Sequence, residues 1–231
     1  MSHPQRLWST DYSLTALLLF LCLNLFVVQP LGNLGVGGRL LVSLLFSLIL
    51  ISGVGVVAKS RLITMLAGGV VLAGLIVHWL RFSVGSAVLV FWDVGISALF
   101  FAILALVVLA EVFSKGPITW HRIQGAVAVY LLIGFACAFG YDLIDLRWPQ
   151  AFAPVQLPGA NPEDGSMSAF LYFSFVTLTT LGYGDITAVH PVARSLVTME
   201  ALIGQLFPAI LLARLVSMEL FYRQTRTSDR R

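Results

Sequence analysis

The sequence predicts an all-α membrane protein, with six transmembrane helices and a short re-entrant helix between the last two. Hydrophobic residues make up 58% of the 231-residue chain and charged residues 11%, more apolar surface than one water-soluble core of this size can hide. Cutting the chain at its charged, glycine and proline positions leaves six apolar runs near the ~20 residues that a bilayer span requires. A seventh run, Met167 to Leu178, is too short to cross and leads into a Gly-Tyr-Gly break.

The six spans run from Leu14 to Val28, Leu40 to Ala58, Leu62 to Leu80, Val88 to Phe113, Ile123 to Leu143 and Val192 to Leu220. Arg6 ahead of the first apolar run also fits a secretory signal. No small-residue cleavage site follows, since the chain reads Val28-Gln29-Pro30-Leu31, so this helix is expected to be retained. With the N-terminus inside, Arg6, Lys59, Arg61, Lys115, Arg122, Arg223, Arg226, Arg230 and Arg231 fall on the cytoplasmic side, and Arg39, Arg81, Arg147 and Arg194 outside. Both termini are thus expected in the cytoplasm of a multi-pass cell-membrane protein. The compact layout points to a prokaryotic plasma membrane.

That topology puts Asp142 to Ser166 outside, where Pro149, Pro154, Pro158 and Pro162 suit a turret loop rather than a helix. Asp142, Asp145, Glu163 and Asp164 would concentrate cations at its mouth, unless the segment is an ordinary solvated loop. Cys22 and Cys137 lie within spans and read as small packing residues. The four histidines, His3, His78, His121 and His190, are scattered without metal-ligand spacing, so neither an enzyme nor a bound cofactor is expected. There is no nucleic-acid signature.

Thr177-Leu178-Thr179-Thr180-Leu181-Gly182-Tyr183-Gly184-Asp185 carries the chemistry. Backbone amides at membrane depth are costly unless paired or facing water or an ion, so this break must line a cavity. Gly182 and Gly184 adopt positive φ cheaply, which allows successive carbonyls to turn toward one axis. A ring of such carbonyls replaces an ion's hydration shell.

Thr-Leu-Gly-Tyr-Gly-Asp resembles the filter signature of tetrameric potassium channels, over roughly Thr119 to Met218. The resemblance implies that the Thr180 hydroxyl and the carbonyls of Thr180, Leu181, Gly182 and Tyr183 coordinate K+, with Gly184 and Asp185 completing the outer turn. Leu181 departs from the valine or isoleucine usual there, which leaves a non-selective monovalent cation channel as the alternative. Expected supports of the filter are Tyr172, Phe173, Val176 and Thr177, with Phe175 beside them, and Glu200, expected to bond the back of the re-entrant helix. Gly204 matches the family's inner-helix glycine. Pro208 cannot donate to the Gly204 carbonyl, so the two form a candidate gating hinge, with a fixed kink as the other reading. Gln205, Pro208, Leu212 and Leu215 share one helical face, expected to line the cavity and gate.

One loop cannot encircle an ion, so several copies around an axis are expected, and the resemblance implies four, a homotetramer in lipid with K+ as its only bound species. A potassium transporter subunit would carry several such loops in one chain, and there is one here. The layout also resembles voltage-gated potassium channels, yet Val88 to Phe113 holds Asp93 and Glu111 and no arginine or lysine. Each transferred charge is worth about 2.3 kcal/mol per 100 mV, so little intrinsic voltage dependence is expected. The expected organisation is a sensor-like four-helix domain (1–113), a cytoplasmic linker (114–122) in which Thr119 caps the next helix, a pore domain (123–220) and a short basic tail (221–231).

Overall fold

The computed structural model describes residues 5–28, 36–57, 61–84, 86–114, 119–153 and 167–228. Helix α1 (Gln5–Leu23) ends in a π-helical turn (Asn24–Val28), followed by α2 (Val36–Val57), α3 (Arg61–Val84), α4 (Ala87–Val112) and α5 (Trp120–Arg147). Strand β1 (Phe152–Ala153), the short helix α6 (Met167–Leu178), strand β2 (Thr187–Ala188) and the long α7 (Pro191–Ser228) complete the order. Among the described residues, α4, α5 and the Pro191–Arg214 part of α7 are long and apolar enough to cross a membrane. The apolar stretches of α1, α2 and α3 are shorter, at Ser13–Val27, Leu40–Gly55 and Gly68–Leu80.

Helix α5 is the shared wall of the molecule. Its most extensive interface is with α4, it also meets α1, and its other side receives α6 and α7. Helices α1, α2, α3 and α4 pack in succession, α2 touching both α1 and α4. Aromatic rings stitch the layers: Phe101 of α4 stacks on Phe135 and Phe139 of α5 at 5.3 and 5.4 Å, and Phe46 of α2 reaches Phe139 at 5.9 Å. Asp93 is buried against α3, with its carboxylate oxygens 3.2 and 3.3 Å from His78 Nδ1. This pairing offsets part of the cost of a carboxylate in an apolar helix.

One boundary near the site differs from the sequence reading. Helix α5 runs to Arg147, so Asp142 is a buried helical residue rather than part of the turret. Asp145 is likewise in this helix and Pro149 in the turn after it, whereas residues 154–166 of the expected turret, including Pro154, Pro158, Pro162, Glu163 and Asp164, lie outside the described residues, as does Lys115. Thr119 does stand at the N-cap of α5 in extended backbone, but its side chain makes no capping bond there.

The α5–α6 contact depends on a missing side chain. A Cβ at Gly134 would lie 2.7 Å from Phe175 Cζ and 2.9 Å from its Cε1. Gly69 on α3 has nothing within 4 Å of that position. Thermal or denaturant unfolding in detergent should therefore find Gly134→Ala destabilising by about 1–3 kcal/mol through overpacking. Gly69→Ala should be neutral or stabilising by up to about 1 kcal/mol from helix propensity alone. Equal effects would contradict the packing described.

Candidate ion-conduction site

The site begins with how α6 ends. The Thr180 N–H bonds the Thr177 carbonyl at 2.9 Å, and the Leu181 and Gly182 N–H groups both reach the Val176 carbonyl, at 2.9 and 3.3 Å. All described peptide bonds are trans. In a trans peptide the carbonyl opposes the N–H, so amides aimed back at Val176 turn the Thr180 and Leu181 carbonyls away from the helix. Positive φ at Thr180 (58°), Gly182 (57°) and Gly184 (77°), alternating with negative φ at Leu181 and Tyr183, continues that arrangement along the strand. Gly182 and Gly184 adopt the backbone expected of them. Thr180 was not anticipated to do so, and left-handed backbone at a β-branched residue costs about 1–2 kcal/mol, which the fixed amide bonds at its flank offset.

Further along, Asp185 closes the turn. Its carboxylate accepts the Ile186 N–H at 3.0 Å and the Tyr172 hydroxyl at 2.7 Å, tying the outer end of the strand to the middle of α6. Antiparallel pairing of Phe152 with Ala188 and of Ala153 with Thr187 then anchors the segment to the chain just beyond α5. His190 starts α7, its Nδ1 accepting the Val192 N–H at 3.3 Å, one residue ahead of Pro191 at the first helical position.

Behind the strand, α6 is clamped on both sides. Phe170 and Phe173 meet Tyr141 of α5 and Phe152 of β1, with ring centroids between 5.0 and 6.4 Å apart. Glu200 of α7 is fully buried and lies against Ser174 and Tyr141. The Tyr130 hydroxyl donates to the Leu178 carbonyl at 2.9 Å. Thr177 is buried on α6, and Thr179 bonds back to the Phe175 carbonyl at 2.6 Å.

Gly204 is where α7 crosses the end of α6. A Cβ there would overlap the Leu178 carbonyl oxygen and lie 2.7 Å from its carbon, so close helix approach alone requires glycine at this position. Helix α7 continues through Pro208. Gln205, Pro208 and Leu212 are exposed along it, and the side chain of Leu215 lies outside the described residues.

Arg214 was missed by sequence reasoning. Its Nη2 donates to the Phe113 carbonyl at the C-terminal end of α4 at 2.6 Å, and its guanidinium sits 4.8 Å from the Phe113 ring centroid. A lone cation between Arg194 and Arg223, within the last apolar run, was the available signal.

In a single chain this apparatus is open on one side. Leu181 and Tyr183 are 56% and 66% exposed, and α7 bears an apolar groove of about 770 Å³ lined by Met199, Leu202, Ile203, Leu206, Phe207 and Ile210 among others. A re-entrant helix, a carbonyl-lined strand and a flanking pair of spanning helices define a transmembrane ion channel domain. Residues 125–220 match the ion channel family.

Protein LctB of Geobacillus stearothermophilus is 33% identical over 86 residues, covering 37% of this chain and 62% of that protein. Its counterpart from Bacillus caldotenax is 31% identical over the same length. The inward rectifier potassium channel Kirbac3.1 of Paramagnetospirillum magnetotacticum is 42% identical over 50 residues, 22% of this chain and 17% of that one. The chain thus spans less than two thirds of each of these relatives. No solved structure matches significantly.

Because Gly204 faces main chain, Gly204→Ala should lower the thermal stability of the purified protein by about 3 kcal/mol, the upper end of overpacking costs. A variant that folds with unchanged stability would contradict the close crossing.

Proposed function

We propose that this chain forms a potassium-selective channel through which K+ passes down its gradient, with four copies surrounding one conduction path. The observation that carries the reading is the left-handed backbone alternating at Thr180, Gly182 and Gly184, with amides held by Val176. It supports a row of free carbonyls from Thr180 to Tyr183, with the Thr180 hydroxyl below them, as the K+ ligands. Gly184 and Asp185 complete the outer turn, and Tyr172, Phe173, Val176 and Thr177 hold the strand from behind.

One strand offers ligands from one side only. The exposed Tyr183 ring and the apolar groove on α7 favour further copies of the same chain as neighbours, with lipid on the remaining apolar faces. Both termini lie on the cytoplasmic side of a cell membrane, following the arginine and lysine bias. Residues 1–113 act as a four-helix unit without gating charges, 114–122 as the linker to the pore domain (123–220), and 221–231 as a basic tail, so conductance depends little on voltage. The lower part of α7 bends at Pro208, with Gly204 at the upper edge of the bend fixed against α6, and Gln205, Leu212 and Leu215 line the cavity and its narrowest point.

Flux measured in liposomes reconstituted with the purified protein tests this. K+ efflux should exceed Na+ efflux by at least about a hundredfold, the discrimination that several kcal/mol of fixed-site coordination supplies. Equal permeability would replace the reading with a non-selective cation channel.

A further inference from the structure

Hydrogen-bond accounting around Glu200 leaves one proton to assign. Ser174 Oγ lies 2.7 Å from the Gly134 carbonyl oxygen and 2.5 Å from Glu200 Oε1. A serine hydroxyl carries one hydrogen, and a backbone carbonyl can only accept. If the serine proton serves Gly134, the contact to Glu200 has no hydrogen unless the carboxyl supplies it. The second carboxyl oxygen, Oε2, accepts from the Tyr141 hydroxyl.

We infer that Glu200 is held as a neutral carboxylic acid which donates from Oε1 to Ser174 while Ser174 donates to Gly134, and that this relay makes Glu200 a positioning residue for the filter. Each hydroxyl hydrogen is then used once, and the Cys137 thiol is a further, weak donor to the same carboxyl. The charge environment agrees. Facing Glu200 are Tyr141 and Cys137 from α5 and Ser174 from α6, none of which carries a positive charge. A fully buried carboxylate in a spanning helix without a cation is expensive, whereas a carboxylic acid with both oxygens bonded is not.

The relay crosses three helices. It runs from α7 through the middle of α6 to the α5 backbone, and the Tyr141 bond returns from α5 to α7. Ser174 is two residues ahead of Val176, whose carbonyl holds the Leu181 and Gly182 amides. Glu200 therefore acts on the carbonyl row through the placement of α6 and touches no ion. Its effect on conduction rests on the filter reading above; its protonation state does not.

Glutamine discriminates between the two states of the carboxyl. A carboxamide has one donor and one acceptor end and so reproduces the acid, but it cannot accept from both Ser174 and Tyr141 as a carboxylate would. In reconstituted full-length protein, Glu200→Gln should keep the thermal stability and K+ flux of the parent. Glu200→Ala and Ser174→Ala should each lower K+ flux by about tenfold, the equivalent of one lost buried hydrogen bond. The infrared difference spectrum of parent minus Glu200→Gln should contain the carbonyl band of a protonated carboxyl that shifts on deuteration.

A Glu200→Gln variant as impaired as Glu200→Ala, or one that fails to assemble, would overturn the assignment. So would a difference spectrum containing only carboxylate bands. Should the parent protein fail to distinguish K+ from Na+, the filter reading falls, and the infrared result still decides the protonation of Glu200.

Discussion

On the proposed reading the structure around the filter serves one constraint: a short row of backbone carbonyls at membrane depth has no protein donor among the described residues. An unpaired carbonyl in a water-free interior costs more than most single side-chain contacts return. The chain meets this by spending the opposing amides on α6. Val176 accepts the Leu181 and Gly182 amides, so the Thr180 and Leu181 carbonyls opposite them cannot turn inward to pair with the same helix. In the proposed channel their remaining partner comes from the axis shared with further copies, where a dehydrated cation supplies charge as the carbonyl dipoles converge.

Fixing the strand in this way requires that α6 itself stay still, and side chains of the neighbouring elements contribute to that. Tyr172 ties the outer end through Asp185, Tyr130 holds the Leu178 carbonyl at the inner end, and the Phe170 and Phe173 rings lean on Tyr141 and Phe152 between them. Small residues set the separations: Gly134 admits Phe175 against α5, and Gly204 admits the last turn of α6 against α7. A second connection reaches the other half of the chain. Arg214 of α7 satisfies a C-terminal carbonyl of α4, at the negative end of that helix, while Arg122 of α5 bonds Ser114 beside it.

The elements that were legible in the sequence are those with a local signature. Met167–Leu178 was delimited by its length and by the Gly-Tyr-Gly break after it. Asp93 had a legible need for a partner, and His78 answers it from the neighbouring helix. Features that depend on pairs distant in sequence could not be read. Nothing in Ala151-Phe152-Ala153 announces pairing with Thr187 and Ala188, because two-residue strands carry no periodicity. Left-handed backbone at Thr180 runs against residue preference and follows from its flanking amide bonds. Gly204 attracted a flexibility argument because Pro208 lies one turn on, whereas its missing side chain is filled by the main chain of Leu178, a contact visible only in three dimensions.

Cryo-electron microscopy of the purified chain in K+-containing buffer addresses the central claim most directly. The account predicts particles with four copies about one axis, the carbonyls of Thr180 to Tyr183 facing that axis, and ion density between successive carbonyl rings. Particles whose Thr180–Tyr183 carbonyls point away from any shared axis, or a stable species with one or two copies, would contradict it.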